Sequence, residues 1–198
     1  TSQPTPEAFL DAYEDAQRKG AEAIVTITIS AAMSGTYESA QQAASMIDIP
    51  VHLIDSKANS MSLGWQVLAA VRTRETGGDV RAMLAAASAA RHTMVYIITL
   101  DTLEYLHKGG RIGGAKRFIG TLLNLKPQIW VNHETGEVEG GRQTRTRGRA
   151  LEALYQDFVN ALDTERPMRA AVLHNNALEE AQRLAERIQT EHDPVELM

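Results

Sequence analysis

No cysteine occurs in the 198 residues, which excludes disulfides and thiolate chemistry and agrees with a reducing cytoplasm. No apolar run approaches the roughly 20 residues of a membrane span, and no basic segment followed by an apolar one opens the chain. An excess of positive charge is lacking too. Lys and Arg number 20 against 25 Asp and Glu, a net charge of -5, so the overall balance attracts neither nucleic acid nor an anionic membrane. The histidines, at positions 52, 92, 107, 133, 174 and 192, have no His-x-x-x-His or His-Glu-x-x-His spacing, which argues against metal catalysis. Internal repeats and low-complexity segments are missing as well. What is present, 43% hydrophobic residues, suffices for the core of one large domain or two small ones. A cytoplasmic protein without stable membrane insertion is expected. The sequence opens on Thr1 rather than Met, and Met198 falls inside what reads as a strand over 195–198, so both ends read as cut.

Thr5 followed by Pro6 and Glu7 is an N-cap with proline in the first turn, and Phe9, Tyr13 and Ala16 recur on one face, which predicts a helix up to Gly20. The β-branched run 23–29 predicts a strand, followed by a small-residue turn and a helix over 37–47. A strand over 51–55 and helices over 61–75 and 80–91, the latter capped by Asp79, complete an alternating α/β half. From Thr93 the pattern changes. A strand is expected over 93–100, a short helix capped by Asp101, and a hairpin formed by 127–132 and 137–143 around a glycine-containing loop. A helix over 146–162, a strand over 169–174, a helix over 178–189 and the final strand follow. The expected fold is α/β in two domains, a parallel α/β part over 1–91 and a mixed-sheet α+β part over 92–198, with the boundary near Arg91.

Ligands of α/β sheets bind beyond the carboxyl ends of the strands, where a helix N-terminus offers free N–H groups. Ser30, Ser34, Gly35 and Thr36 stand at such a place, and a further hydroxyl pair, Thr1 and Ser2, precedes Gln3 and Pro4. Glycine lets backbone approach a ligand, and serine or threonine can donate to a carboxylate without a full opposing charge. On spacing alone, Ser34 as a helix cap and Ser30 as a strand end is the simpler account of these residues.

The glycine-rich segment Lys108-Gly109-Gly110-Arg111-Ile112-Gly113-Gly114 lacks both the Walker ending and the dinucleotide-turn spacing, so a turn that positions Arg111 is the better reading. Arg111 can pair with a carboxylate or phosphate, or form a structural ion pair. Arg142, Arg145, Arg147 and Arg149 crowd one segment, but no aromatic residues interleave and the chain is acidic, which disfavours nucleic acid. A docking patch for an acidic partner or a solvated face remains. Ser34 lacks a nucleophile-elbow setting. His174, expected at a strand end, is a site candidate by position and otherwise a hydrogen-bonding residue.

Taken together, these pieces resemble the DegV family, which includes the fatty-acid-binding (FakB) subunits of bacterial fatty acid kinase. The resemblance rests on Thr1-Ser2-Gln3-Pro4, Ser34-Gly35-Thr36-Tyr37 with Ser39-Ala40, Ile54-Asp55-Ser56, Asp101-Thr102-Leu103-Glu104-Tyr105-Leu106 with Lys108-Gly109-Gly110-Arg111-Ile112, Leu123-Asn124-Leu125-Lys126-Pro127, and Arg145 to Ala150, in family order. It implies a two-domain α/β fold with a long acyl chain buried in a pocket. By the resemblance, Thr1, Ser2, Ser34 and Gly35 would bind the fatty-acid carboxylate. Arg111 would lie near the head group and help engage a partner kinase, and the docking alternative for Arg145, Arg147 and Arg149 would then have that kinase as its acidic partner. That partner, similar to the ATP-using part of dihydroxyacetone kinases, would phosphorylate the fatty acid to an acyl phosphate. ATP and Mg²⁺ would belong to it, leaving this chain a substrate-presenting subunit with no cofactor or metal of its own. The family's Asp-Ser-x-x-Asp-like segment before Thr-Ser-Gln-Pro, and its Gly-x-His-x-Gly-Pro-Gly segment at the carboxyl end, do not occur here. An independent enzyme acting on a small phosphorylated or keto substrate, using Lys108, Arg111 and the hydroxyls, is the alternative.

Overall fold

The computed structural model describes residues 3–118 and 125–198. Helix α1, Pro6–Arg18, starts where Thr5 accepts from Ala8 N, and its apolar face buries Tyr13. Strands β1, Ile24–Thr28, and β2, Val51–Asp55, pair in parallel from Ile24 opposite Val51 to Thr28 opposite Asp55. Between them lies α2, Thr36–Ala44, which packs on α1. Helices α3, Ser60–Glu75, and α4, Val80–His92, pack along each other, and Asp79 caps α4 by accepting from Ala82 N at 2.8 Å. The buried Gln66 of α3 donates to the carbonyls of Ser56 and Ser62, which ties this helix to the end of β2.

Beyond α4 the sheet is antiparallel, in the order β3 (Ile97–Thr99), β4 (Lys126–Val131), β5 (Val138–Thr144). Helix α5, Glu104–Lys108, and a 3-10 helix, Gly113–Phe118, connect β3 towards β4. Ile112, Ala115, Ile129 and Val138 form the buried core here, with Met33, Ile98 and Leu100 packed against it. Helix α6, Arg147–Asn160, contacts all three strands and turns Tyr155 into a second core with Ala170 and Ile188. That core belongs to β6, Arg169–Ala170, α7, Leu178–His192, and β7, Glu196–Leu197, the two strands being parallel. Burial pushes the Tyr155 hydroxyl pKa up, so it keeps its proton and donates to Glu191 at 2.6 Å. Arg72 of α3 reaches Glu196 of β7 through two hydrogen bonds of 2.7 and 2.8 Å.

The α/β class, the parallel first part and the mixed second part are as expected. Three elements differ. The strand expected over 93–100 is formed only at Ile97–Thr99, because only β4 pairs with it. The strand expected over 169–174 is assigned at Arg169–Ala170, beside β7, and beyond it Val172 N still donates to Met198 O at 2.8 Å. Asp101 does not cap α5. Leu103 holds the N-cap position, Thr102 Oγ1 accepts from Glu104 N at 3.1 Å, and Asp101 pairs with Lys126. Among the described residues no helix is long and apolar enough to cross a membrane, and no three His, Asp or Glu side chains converge as a metal set.

Candidate functional site

The loop from β1 to α2 is anchored from both sides. Ser30 is fully buried. Its N–H donates to Ala58 O and its hydroxyl to Gly136 O, both at 2.8 Å, so it binds the β2–α3 loop and the β4–β5 turn together. The amides of Met33 and Ser34 return to Ser30 O at 3.0 and 3.1 Å, closing a tight turn. Ser34 Oγ lies 2.8 Å from Thr36 Oγ1 and accepts from Thr36 N at 3.3 Å. The cap reading of Ser34 therefore needs revision: Gly35 holds the N-cap position of α2, and the helix has no side-chain cap. The first-turn amides of Tyr37 and Glu38 have no acceptor among the described residues, so this end of α2 keeps its capacity for an anion. The Gln3 carboxamide lies directly on Gly35, so a β-carbon there would displace it. Thr1 and Ser2 lie outside the described residues.

Arg111 is brought to this loop across 78 residues of sequence. It follows α5, where its own amide donates to Leu106 O at 2.9 Å, and its exposed side chain donates through Nε to Met33 O at 3.1 Å and to Gly109 O. Met33, next to Ser34, also packs into the core around Ile112 and Ile129. A permanent cation thus sits beside the hydroxyl loop.

Sequence reasoning missed the residues beneath. Asp55 closes β2 and accepts at Oδ1 from Ala31 N at 3.1 Å and Lys57 N at 3.0 Å, while Lys57 Nζ stands 3.4 Å from Oδ2. Its only sequence signal was membership of Ile54-Asp55-Ser56. Gly136, at φ +76°, sits against Ser30 and Lys57. Nearby His133 is half-buried, and its Nδ1 has no partner among the described residues. Burial holds its pKa below the usual histidine value, opposed by its hydrogen bond to the Lys57 backbone.

A large groove of about 2210 Å³ opens between α3, α4 and β3 on one side and α6, β6 and α7 on the other. Ordinary ligand pockets span about 300–1,000 Å³, so one small ligand would fill only part of it. Trp65, Ile97, Leu154, Phe158 and Leu184 give it apolar walls. Ser34, Gly35 and Arg111 do not line it. The two regions meet through β3: Ile98 and Leu100 line the groove and also pack in the cluster that holds Met33.

The arginine segment divides. Arg142 pairs with Asp157 at 2.7 Å, and Arg147 grips Glu180 Oε2 through Nε at 2.9 Å and a terminal nitrogen at 2.7 Å, joining α6 to α7. Arg147 is thereby committed inside the fold, whereas Arg145 and Arg149 are exposed and unpaired among the described residues. His174 lies in the loop beyond β6, accepts from Ala177 N at 3.3 Å and lines the groove rather than the Ser34 loop.

These features define an α/β protein with a hydroxyl-lined helix N-terminus, an adjacent cation and a neighbouring apolar groove. The chain belongs to the DegV family: the family model described as "Uncharacterised protein, DegV family" matches residues 1–198. It is 37% identical over 189 residues to a DegV domain-containing protein of Streptomyces coelicolor, covering 95% of this chain and 66% of that protein. Its fold matches a fatty-acid-binding DegV family protein from Thermus thermophilus at TM-score 0.92 and 32% identity, over 100% of this chain and 70% of that one. DegV of Bacillus subtilis, a fatty acid binding protein, matches at TM-score 0.84 and 28% identity, over 98% and 69%. The chain thus spans about two thirds of the length of these relatives.

Proposed function

We propose that this protein binds a long-chain fatty acid and presents its carboxylate to a partner kinase, which uses ATP and Mg²⁺ of its own to form an acyl phosphate. The observation that carries the reading is the meeting of the Ser34 hydroxyl, the open N-terminus of α2 and the Arg111 guanidinium at one loop. This set suits a carboxylate, and the fatty-acid binding of DegV relatives from Thermus thermophilus and Bacillus subtilis supplies the ligand class. In this reading Ser34 and Gly35, with Thr1 and Ser2, hold the head group, and the acyl chain takes an apolar space such as the groove behind β3. Arg111 sits between head group and kinase, and Arg145 and Arg149 extend the docking face. The hydroxyl loop belongs to a first domain ending near Arg91 and Arg111 to a second one. The protein works in the cytoplasm as a presenting subunit rather than as an enzyme alone.

Ser34 and the amides of α2 are neutral donors and Arg111 is exposed, which fits the task, because a tight buried ion pair would stabilise the carboxylate against transfer. Mass spectrometry of an organic extract of the purified protein tests the ligand: one fatty acid per chain supports the reading, and an empty extract with no fatty-acid uptake afterwards refutes it. Acyl phosphate formation with a fatty acid kinase subunit and ATP tests the presenting role separately.

A further inference from the structure

Two neighbouring loops leave the carboxyl ends of the parallel strands β1 and β2, and the candidate head-group site stands on the first of them. Backbone hydrogen bonds join them at their roots, Ser56 N to Thr28 O at 3.2 Å and Ser30 N to Ala58 O at 2.8 Å. Further out, where the first loop turns towards Met33 and Ser34, the bridge is a side chain. Asp55 Oδ1 takes one N–H from each loop, Ala31 at 3.1 Å and Lys57 at 3.0 Å. The carboxylate is 17% exposed, and its other oxygen faces Lys57 Nζ at 3.4 Å. Lys57 itself is in the left-handed region, at φ +51°, the conformation that turns its amide onto Asp55. A bare carboxylate this near an anion site would repel the ligand. Two amides and an ammonium spread its charge, so that it can fix geometry instead.

We infer that Asp55 is a positioning residue of the head-group site, setting the Ser30–Ser34 turn so that Ser34 and the first amides of α2 converge on a carboxylate. The inference rests on the fatty-acid reading above. Asp55 touches no ligand in this role and acts through Ala31.

The test compares affinities for hexadecanoic acid and hexadecan-1-ol at a pH where the acid is ionised. The alcohol has the same tail without the charge, so the acid-to-alcohol preference reports head-group geometry and is insensitive to a general loosening of the fold. Asp55→Ala is expected to lower this preference by about tenfold or more, the scale of one lost hydrogen bond to a charged group. Asp55→Asn retains an oxygen for both amides and should recover most of the preference. Asp55→Glu retains the charge but displaces the oxygen by a methylene, and should not recover it. The Asn and Glu variants decide the matter even where Asp55→Ala fails to fold. Equal losses for acid and alcohol, or a Glu variant that rescues as well as Asn, overturn the positioning role. A parent protein that binds both tails with no preference for the acid overturns the head-group site itself, a result distinguishable from the failure of Asp55 alone.

Discussion

Gly136→Ala is a sharp perturbation of the seam beneath the hydroxyl loop. Gly136 sits at φ +76°, and a β-carbon there would run into the Ser30 hydroxyl, which donates to Gly136 O at 2.8 Å inside a fully buried site. Two costs arise. The left-handed backbone costs an alanine about 1–2 kcal/mol. Displacing Ser30 leaves a buried hydroxyl and carbonyl poorly paired, about 1–3 kcal/mol more. The matched control is Gly20→Ala, at φ +88° with no atom within 4 Å, which bears only the first cost. Urea unfolding should therefore place Gly136→Ala below Gly20→Ala by about 1–3 kcal/mol, through a lower midpoint at an unchanged slope. In a chain of this size each kcal/mol lowers Tm by about 2–4 °C. Ser30→Ala makes room for the added methyl, so the double variant Ser30→Ala/Gly136→Ala should lose less than the sum of the single ones. Equal midpoints for the two glycine variants, or strict additivity in the pair, would falsify the seating of the hairpin turn on Ser30.

Ser34→Ala should weaken fatty-acid affinity by about 1.5–3 kcal/mol, one hydrogen bond to a charged group, yet reduce kinase-dependent acyl phosphate formation by a larger factor, since transfer is steeper in geometry than binding; equal losses in the two assays would assign Ser34 to binding alone. Arg147→Ala should lower stability by about 1 kcal/mol by freeing Glu180, with little effect on kinase coupling, whereas reversing Arg145 and Arg149 to Glu should weaken coupling in a salt-dependent way and leave lipid retention intact; an unchanged melting profile for Arg147→Ala would contradict the α6–α7 clasp. His133 is held below its unfolded value of about 6.5, so the unfolded chain binds the extra proton first; its contribution is complete above that pH and is lost as pH falls through the folded value, and His133→Gln should flatten this part of the stability–pH curve.

What could be read in the sequence was local. Thr5 and Asp79 mark two helix starts because a cap needs only one side chain and an amide two or three residues on. The hairpin at 126–144 was legible from its flanking runs and Gly136, but not what its turn touches. Ser30 meets Gly136 across 106 residues, and Arg111 meets Met33 across 78. No periodicity encodes such contacts, and here a family resemblance pointed to Ser34 and Arg111 where spacing left the cap reading open. Asp55 was invisible for the opposite reason: an acid at a strand end has many ordinary uses, and its two acceptor bonds exist only once β1 and β2 lie side by side. The strand start was over-read at 93–96 because β propensity reports apolar content, whereas pairing depends on a partner strand.

In the proposed fatty-acid reading, separation of tail from head follows from the magnitudes. Burying a sixteen-carbon tail at about 0.8 kcal/mol per methylene is worth on the order of 10 kcal/mol gross, against about 1.5–3 kcal/mol for each hydrogen bond to the carboxylate. Affinity is then set mainly by apolar space, and the polar loop has little leverage over it. Its leverage would lie in direction, where Ser30, Asp55 and Gly136 would act by fixing the backbone of the loop. Ile98 and Leu100 belong both to the groove wall and to the cluster that seats Met33, one residue before Ser34. In the proposed reading, an acyl chain filling the groove would press on the same packed surface that carries the hydroxyl loop, so occupancy of the tail space and orientation of the head would be joined through Ile98 and Leu100.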